Sequence, residues 1–134
     1  MNDIEIDKDK LSINLKKIDE GEFYEKFDNF DKTKNMNKDN VVEGLKTVFD
    51  PEIPVNIYDL GLIYEINLSS DFDIYIKMTL TTPNCPVAQD MPSMVANSIK
   101  KLAGFNSLKI NLVWDPPWNQ GMMSEDAKLA LGVT

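Results

Sequence analysis

The 134 residues suffice for one domain with a working core, and the single cysteine, Cys85, forbids an intrachain disulfide. Histidine and arginine are absent, the basic residues are 14 lysines, and the formal net charge is −8. This composition removes Ser-His and Cys-His catalysis and the commonest metal ligand, and it lacks the basic face and bidentate forks with which proteins bind nucleic acid.

The start, Met1-Asn2-Asp3-Ile4-Glu5-Ile6, is acidic and carries no apolar run, so no signal peptide is expected. No later stretch is long enough to span a bilayer, which predicts a cytoplasmic protein without a membrane partner. Residues 1 to 40 hold 11 acidic residues and 8 lysines, against 17 charged residues in the remaining 94. The composition shifts near Lys38, and residues 1–38 are read as a charged, largely flexible extension. Leu11, Ile13, Leu15, Ile18, Phe23, Tyr24, Phe27 and Phe30 supply apolar anchors that would let part of it fold back onto the domain or onto a partner. Residues 39–134 form the predicted domain.

Asn40 with Glu43 predicts a capped helix whose apolar face is Val41, Val42, Leu45, Val48 and Phe49, stopped at Asp50-Pro51. Glu52-Ile53-Pro54-Val55-Asn56 then reads as an irregular loop, because two prolines in four residues suit neither helix nor sheet centre. Alternation of Leu62, Tyr64, Ile66 and Leu68, a turn at Ser69-Ser70-Asp71, and alternation of Phe72, Ile74, Ile76, Met78 and Leu80 predict a β-hairpin with one apolar face. Met91, Met94, Val95, Ser98, Ile99 and Leu102 recur at helical spacing up to Gly104; Pro92 implies either that the regular helix begins near it or that a short first turn after Pro86 is kinked there, and both methionines are expected in the core. Leu108, Ile110, Leu112 and Trp114 form a third strand, cut off by Asp115-Pro116-Pro117-Trp118. A short last helix is capped by Ser124 and ended by Gly132.

The order helix-strand-strand-helix-strand-short helix gives an α/β fold: a small two-layer sandwich with a mixed three-stranded sheet and helices mainly on one face. Between the hairpin and the second helix lies Thr81-Thr82-Pro83-Asn84-Cys85-Pro86-Val87-Ala88. The prolines stiffen the backbone on both sides of the thiol and polar residues surround it, so the segment reads as an exposed turn at the carboxyl end of a strand, beside the acidic loop of Asp50, Glu52 and Asp59.

Three blocks stand in order: Asp50-Pro-Glu-Ile-Pro-Val-Asn-Ile-Tyr-Asp-Leu-Gly-Leu-Ile-Tyr64, Met78-Thr-Leu-Thr-Thr-Pro-Asn-Cys-Pro-Val-Ala88, and Val113-Trp-Asp-Pro-Pro-Trp118 followed by Met123-Ser-Glu-Asp-Ala-Lys-Leu129. Together they resemble the SufT-type family of iron-sulfur cluster assembly proteins, over about residues 39 to 132. The stand-alone form is expected. The related PaaD accessory branch carries a further cysteine-rich segment, and scaffold ATPases with a similar domain carry a P-loop, neither of which occurs in this sequence.

The resemblance implies a non-enzymatic accessory factor that helps clusters mature on, or pass to, client proteins. Its partners would be iron-sulfur assembly proteins and client apoproteins, and a homodimer is one way to complete a site. Emphasis falls on Cys85, as functional thiol and transient metal ligand, and on Asp50, Glu52 and Asp59. Thr81, Thr82, Pro83 and Pro86 frame the thiol. A cluster needs about four thiolate-type ligands and one chain offers one. No tightly bound cofactor is therefore expected, only a labile iron-sulfur cluster shared between subunits or with a client. Two alternatives stay open: a docking adaptor that binds no cluster, using Trp114 to Trp118 and the acidic loop, and a thiol redox protein.

Overall fold

The computed structural model describes residues 21–50, 53–81 and 90–132. Four strands make one mixed sheet: β1 (Glu22–Lys26), β2 (Ile63–Leu68), β3 (Asp73–Met78) and β4 (Ser107–Leu112), in the spatial order β1-β4-β3-β2. Helices α1 (Lys38–Leu45), α2 (Met91–Lys100) and α3 (Glu125–Leu131), with short 3-10 turns at Lys32–Lys34 and Gln120–Met122, complete the regular structure among the described residues. The α/β class agrees with the sequence pattern. The strand number does not, because β1, from within the charged amino-terminal segment, pairs antiparallel with β4. Five residues reading Glu-Phe-Tyr-Glu-Lys carry too short an alternation to stand out against charged neighbours.

β2 and β3 form the predicted hairpin, with a bulge between Ile63 and Glu65. Its turn is held by Ser69, whose Oγ accepts the N–H groups of Asp71 at 3.2 Å and Asp73 at 3.1 Å. The chain leaves the turn through Phe72 at φ +65°, a left-handed conformation unusual for a bulky side chain. The Phe30 ring, 5.7 Å away, and the Asn106 N–H donated to the Phe72 carbonyl at 2.8 Å hold it there.

β3 and β4 run parallel, with Ile74, Ile76 and Met78 opposite Leu108, Ile110 and Leu112. Five of these six are buried, and they share one core with Val41 and Leu45 of α1 and Met91, Val95 and Ile99 of α2. Each fully buried aliphatic side chain contributes about 1.5–3 kcal/mol. The other face presents Tyr24, Asn67, Tyr75, Lys77 and Lys109, so the helices cover one side, as the alternation requires. The start of the parallel pair is pinned by Asp73, whose carboxylate accepts from Asn106 Nδ2 at 2.8 Å and Ser107 Oγ at 2.7 Å.

Helix boundaries differ in detail. Asn37, not Asn40, caps α1, and Asn40 returns a bond to the Asn37 N–H at 2.9 Å, so Asn40 takes the place expected for Glu43. α1 ends at Leu45, before Asp50-Pro51: the Thr47 hydroxyl takes the Gly44 carbonyl at 2.6 Å, and Phe49 then bridges Asn56. Phe49, expected in the core, is therefore half exposed. α2 begins at Met91 with Pro92 in its first turn, where a missing N–H costs nothing. The left-handed residue after α2 is Ala103, at φ +60°, and not Gly104. Glycine at 104 serves packing, since a Cβ there would lie 2.6 Å from Met36 Sδ. α3 has the predicted Ser124 cap and Gly132 stop.

Gly61, at φ +85°, backs directly onto the carboxyl-terminal segment, and a Cβ there would lie 2.3 Å from the Met122 carbonyl oxygen. Gly61→Ala is expected to lose about 3 kcal/mol of stability in denaturant unfolding, from backbone strain and a collision with backbone that cannot yield. Gly132→Ala, at φ +70° but with open space around it, should lose only about 1 kcal/mol. Equal losses would show that backbone strain alone, and not the approach to Met122, sets the cost.

Candidate functional site at the carboxyl edge of the parallel pair

Because β3 and β4 are parallel, their carboxyl ends lie at one edge of the sheet, the edge where α/β proteins place ligands. The Met78 carbonyl accepts the Val113 N–H at 2.8 Å, and the Thr79 N–H donates to Leu62 O at 2.9 Å. Leu62 N–H donates to Ile57 O at 3.2 Å and Ile57 N–H to Val48 O at 2.8 Å. This relay sets the end of β3 against the loop that runs from Asp50 to Asp59. The described chain leaves this edge at Thr81, which is half-buried, and resumes at Asp90. Cys85, Thr82, Pro83, Pro86 and Glu52 lie outside the described residues.

Asp50 is 5% exposed, and its Oδ1 accepts the Ile53 N–H at 3.3 Å. Asp59 and Asn56 bond reciprocally: Asn56 Nδ2 donates to Asp59 Oδ2 at 2.8 Å, and Asp59 N–H donates to Asn56 Oδ1 at 2.8 Å. Asp50 and Asp59 thus take part in holding the loop. Among the described residues, no group of three or more His, Cys, Asp or Glu side chains is placed to hold a metal ion.

The carboxyl-terminal segment clamps the same loop. Trp118 Nε1–H donates to Leu60 O at 2.7 Å, Ser124 N–H donates to Asp59 O at 2.8 Å, and Tyr64 Oη donates to Pro116 O at 2.7 Å. Trp118, a docking residue in the adaptor alternative, is partly buried and packs against the core. Trp114, expected within the third strand, lies beyond β4 and is 45% exposed. The sheet pairing stops at Leu112 because the chain turns aside after Val113 to reach Leu60 and Asp59.

An open groove of about 520 Å³ lies beside this clamp, lined by Ile63, Tyr64, Lys77, Asp115, Pro116 and Met122. Burial raises the Tyr64 phenol above its usual pKa; the Thr79 hydroxyl acts the other way, and the Asp115 carboxylate adds to the rise. That Thr79 hydroxyl is fully buried and, among the described residues, has no hydrogen-bond partner of good geometry. Tyr64 and Thr79 were not singled out in the sequence, since both occupy ordinary strand positions. Asn56 had a signal: an Asn three residues before an Asp is the spacing of a reciprocal turn.

What these elements define is a small α/β domain with a loop-built site at the carboxyl edge of a parallel strand pair. The chain belongs to the family described as "Iron-sulfur cluster assembly protein", whose profile matches residues 38–112. It is 46% identical over 95 residues to an "Fe-S protein maturation auxiliary factor" of Porphyromonas gingivalis, covering 71% of this chain and 90% of that protein. Identity to the "Fe-S protein maturation auxiliary factor YitW" of Bacillus subtilis is 38% over 96 residues, covering 72% and 94%. A crystal structure of a "Domain of Unknown Function DUF59" from Bacillus anthracis superposes with a TM-score of 0.68 at 35% identity, covering 72% of this chain and 92% of that one.

Because folding raises the Tyr64 pKa, the unfolded chain releases that proton first as pH rises. The associated stability is intact below the ordinary tyrosine range and is lost as pH climbs through the folded value. Stability measured from pH 9 upward should fall less steeply in Tyr64→Phe than in the unsubstituted protein; identical slopes would assign the alkaline loss to other groups. Trp118→Phe is expected to cost about 1 kcal/mol, the net worth of its bond to Leu60, in the same measurement.

Proposed function

We propose that this protein is a non-enzymatic accessory factor in iron-sulfur cluster assembly, and that Cys85 is the thiolate that meets iron. The observation that carries the reading is the family match, which runs from the start of α1 to the end of β4. The names of the two bacterial relatives support the accessory role. The partners are then cluster-assembly proteins and client apoproteins in the cytoplasm. No helix among the described residues is long and apolar enough to cross a membrane.

The ligand arithmetic shapes the mechanism. One thiolate is far short of the roughly four that a cluster needs, and the described acidic side chains form no metal-binding group. A cluster is therefore cargo held jointly with a second subunit or a client, and it leaves when better thiolate ligands are offered. Thr81, Thr82, Pro83 and Pro86 are the sequence neighbours that frame the thiol in this reading. The regular helix α2 starts at Met91, so dipole assistance to the thiolate from that helix is weaker than a helix opening at the cysteine would give.

A docking adaptor is the second reading, favoured by three exposed aromatic side chains: Phe49, Tyr58 and Trp114. Under it, Trp114→Ala weakens client maturation while Cys85→Ser does not. The deciding experiment is anaerobic reconstitution with iron and sulfide, with visible absorption and iron content read for wild type and Cys85→Ser. Bound iron and sulfide in wild type, at least tenfold lower in the variant, is expected; equal loading would remove Cys85 as ligand, and no loading in either would favour the adaptor.

A further inference from the structure

The outer edge of β1 has no strand partner among the described residues, and its backbone is set for one particular occupant. Leu112 N–H donates to Gly21 O, and Phe27 N–H donates to Asn106 O at 2.9 Å. Bonding groups alternate along an antiparallel pair, so Gly21, Phe23, Glu25 and Phe27 bond inward to β4, while Glu22, Tyr24 and Lys26 turn their N–H and C=O groups outward. The side chains of those same three residues share the open face of the sheet with Lys109, the cross-strand neighbour of Tyr24.

We infer that this edge pairs with β1 of a second copy of the chain, antiparallel about a two-fold axis through Tyr24. In that register Tyr24 faces the other copy's Tyr24, Glu22 faces its Lys26, and Lys26 faces its Glu22. Every outward backbone group meets a bonding partner, and each charged side chain meets its opposite. A two-fold contact demands such self-complementarity, and a sequence whose ends carry opposite charges about a central aromatic supplies it. Tyr24 is 41% exposed, leaving ring surface for the contact. Among the described residues, Lys26 has a neutral partner, Asn106 Oδ1 at 3.1 Å, and neither Glu22 nor Lys26 is in an ion pair.

The opposite edge does not offer the same contact. β2 is interrupted by its bulge, and Glu65 there is already paired with Lys77 at 3.4 Å. Bulges and committed charges are the usual means of closing an edge to further strands. β1 also lies outside residues 38–112, the span that the family profile matches.

The test is sedimentation of the full chain under reducing conditions, which exclude a Cys85-linked dimer, across low to high micromolar concentration. A dimer is expected. Lys26→Glu and Glu22→Lys should each weaken it by about tenfold, through like charges placed opposite one another. The double variant Glu22→Lys/Lys26→Glu restores opposite pairing and should recover the wild-type constant, a rescue that damage to folding cannot produce. Tyr24→Pro removes an outward N–H that makes no bond within the described chain, and it should leave a monomer with unchanged circular dichroism. A wild type that is monomeric throughout, or single charge variants that dimerise as wild type does, would overturn the proposal and leave the edge to the preceding 20 residues or to a client strand. The outcome is independent of whether Cys85 binds iron.

Discussion

Parallel pairing of β3 with β4 is the constraint on which the other features depend. Two consecutive strands of a hairpin can close through a few turn residues, but parallel neighbours need a long crossover. Here the crossover supplies α2, which covers the apolar face. The register is fixed at its start by Asp73 gripping Asn106 and Ser107, and over its length by Ile74, Ile76 and Met78 lying opposite Leu108, Ile110 and Leu112. A slip of one residue would put Tyr75 and Lys77 into the core and the isoleucines into water.

The carboxyl edge is stabilised by backbone and indole bonds more than by its acidic side chains. The loop from Ile53 to Leu62 is irregular, and its polar groups find partners in Val48, Asn56, Ser124 and Trp118. Asp59, a plausible metal ligand by chemistry, is engaged with Asn56, and Asp50 secures the turn after α1. A rigid frame of this kind suits a chain with one thiol. Such a chain cannot enclose a cluster by itself, since it supplies one thiolate where about four are needed.

The exposed features also divide sensibly between two ends of the molecule. Phe49, Tyr58 and Trp114 flank the segments on either side of the carboxyl edge, with Lys46 Nζ lying 5.5 Å from the Tyr58 ring centre. β1 and its open edge lie on the far side of β4 from the hairpin. Contacts with clients at the first and with another copy at the second would not compete for the same strand.

The sequence by itself determined the α/β class, the hairpin, both later helices, the Ser124 cap and the Gly132 stop, because each rests on local periodicity or on one residue's backbone preference. Its three motif blocks also carried the family, and with it the emphasis on Cys85. Only the tertiary structure decided what local pattern does not encode. β1 becomes a strand because β4 offers an unpaired edge; Trp118 is packed because Leu60 O lies within reach; Gly61 and Gly104 are glycines because Met122 and Met36 come close. The roles of Asn56, Tyr64 and Thr79 belong to the same class. Each depends on a neighbour brought in by the fold, and a residue's own preference cannot announce a contact made by another part of the chain.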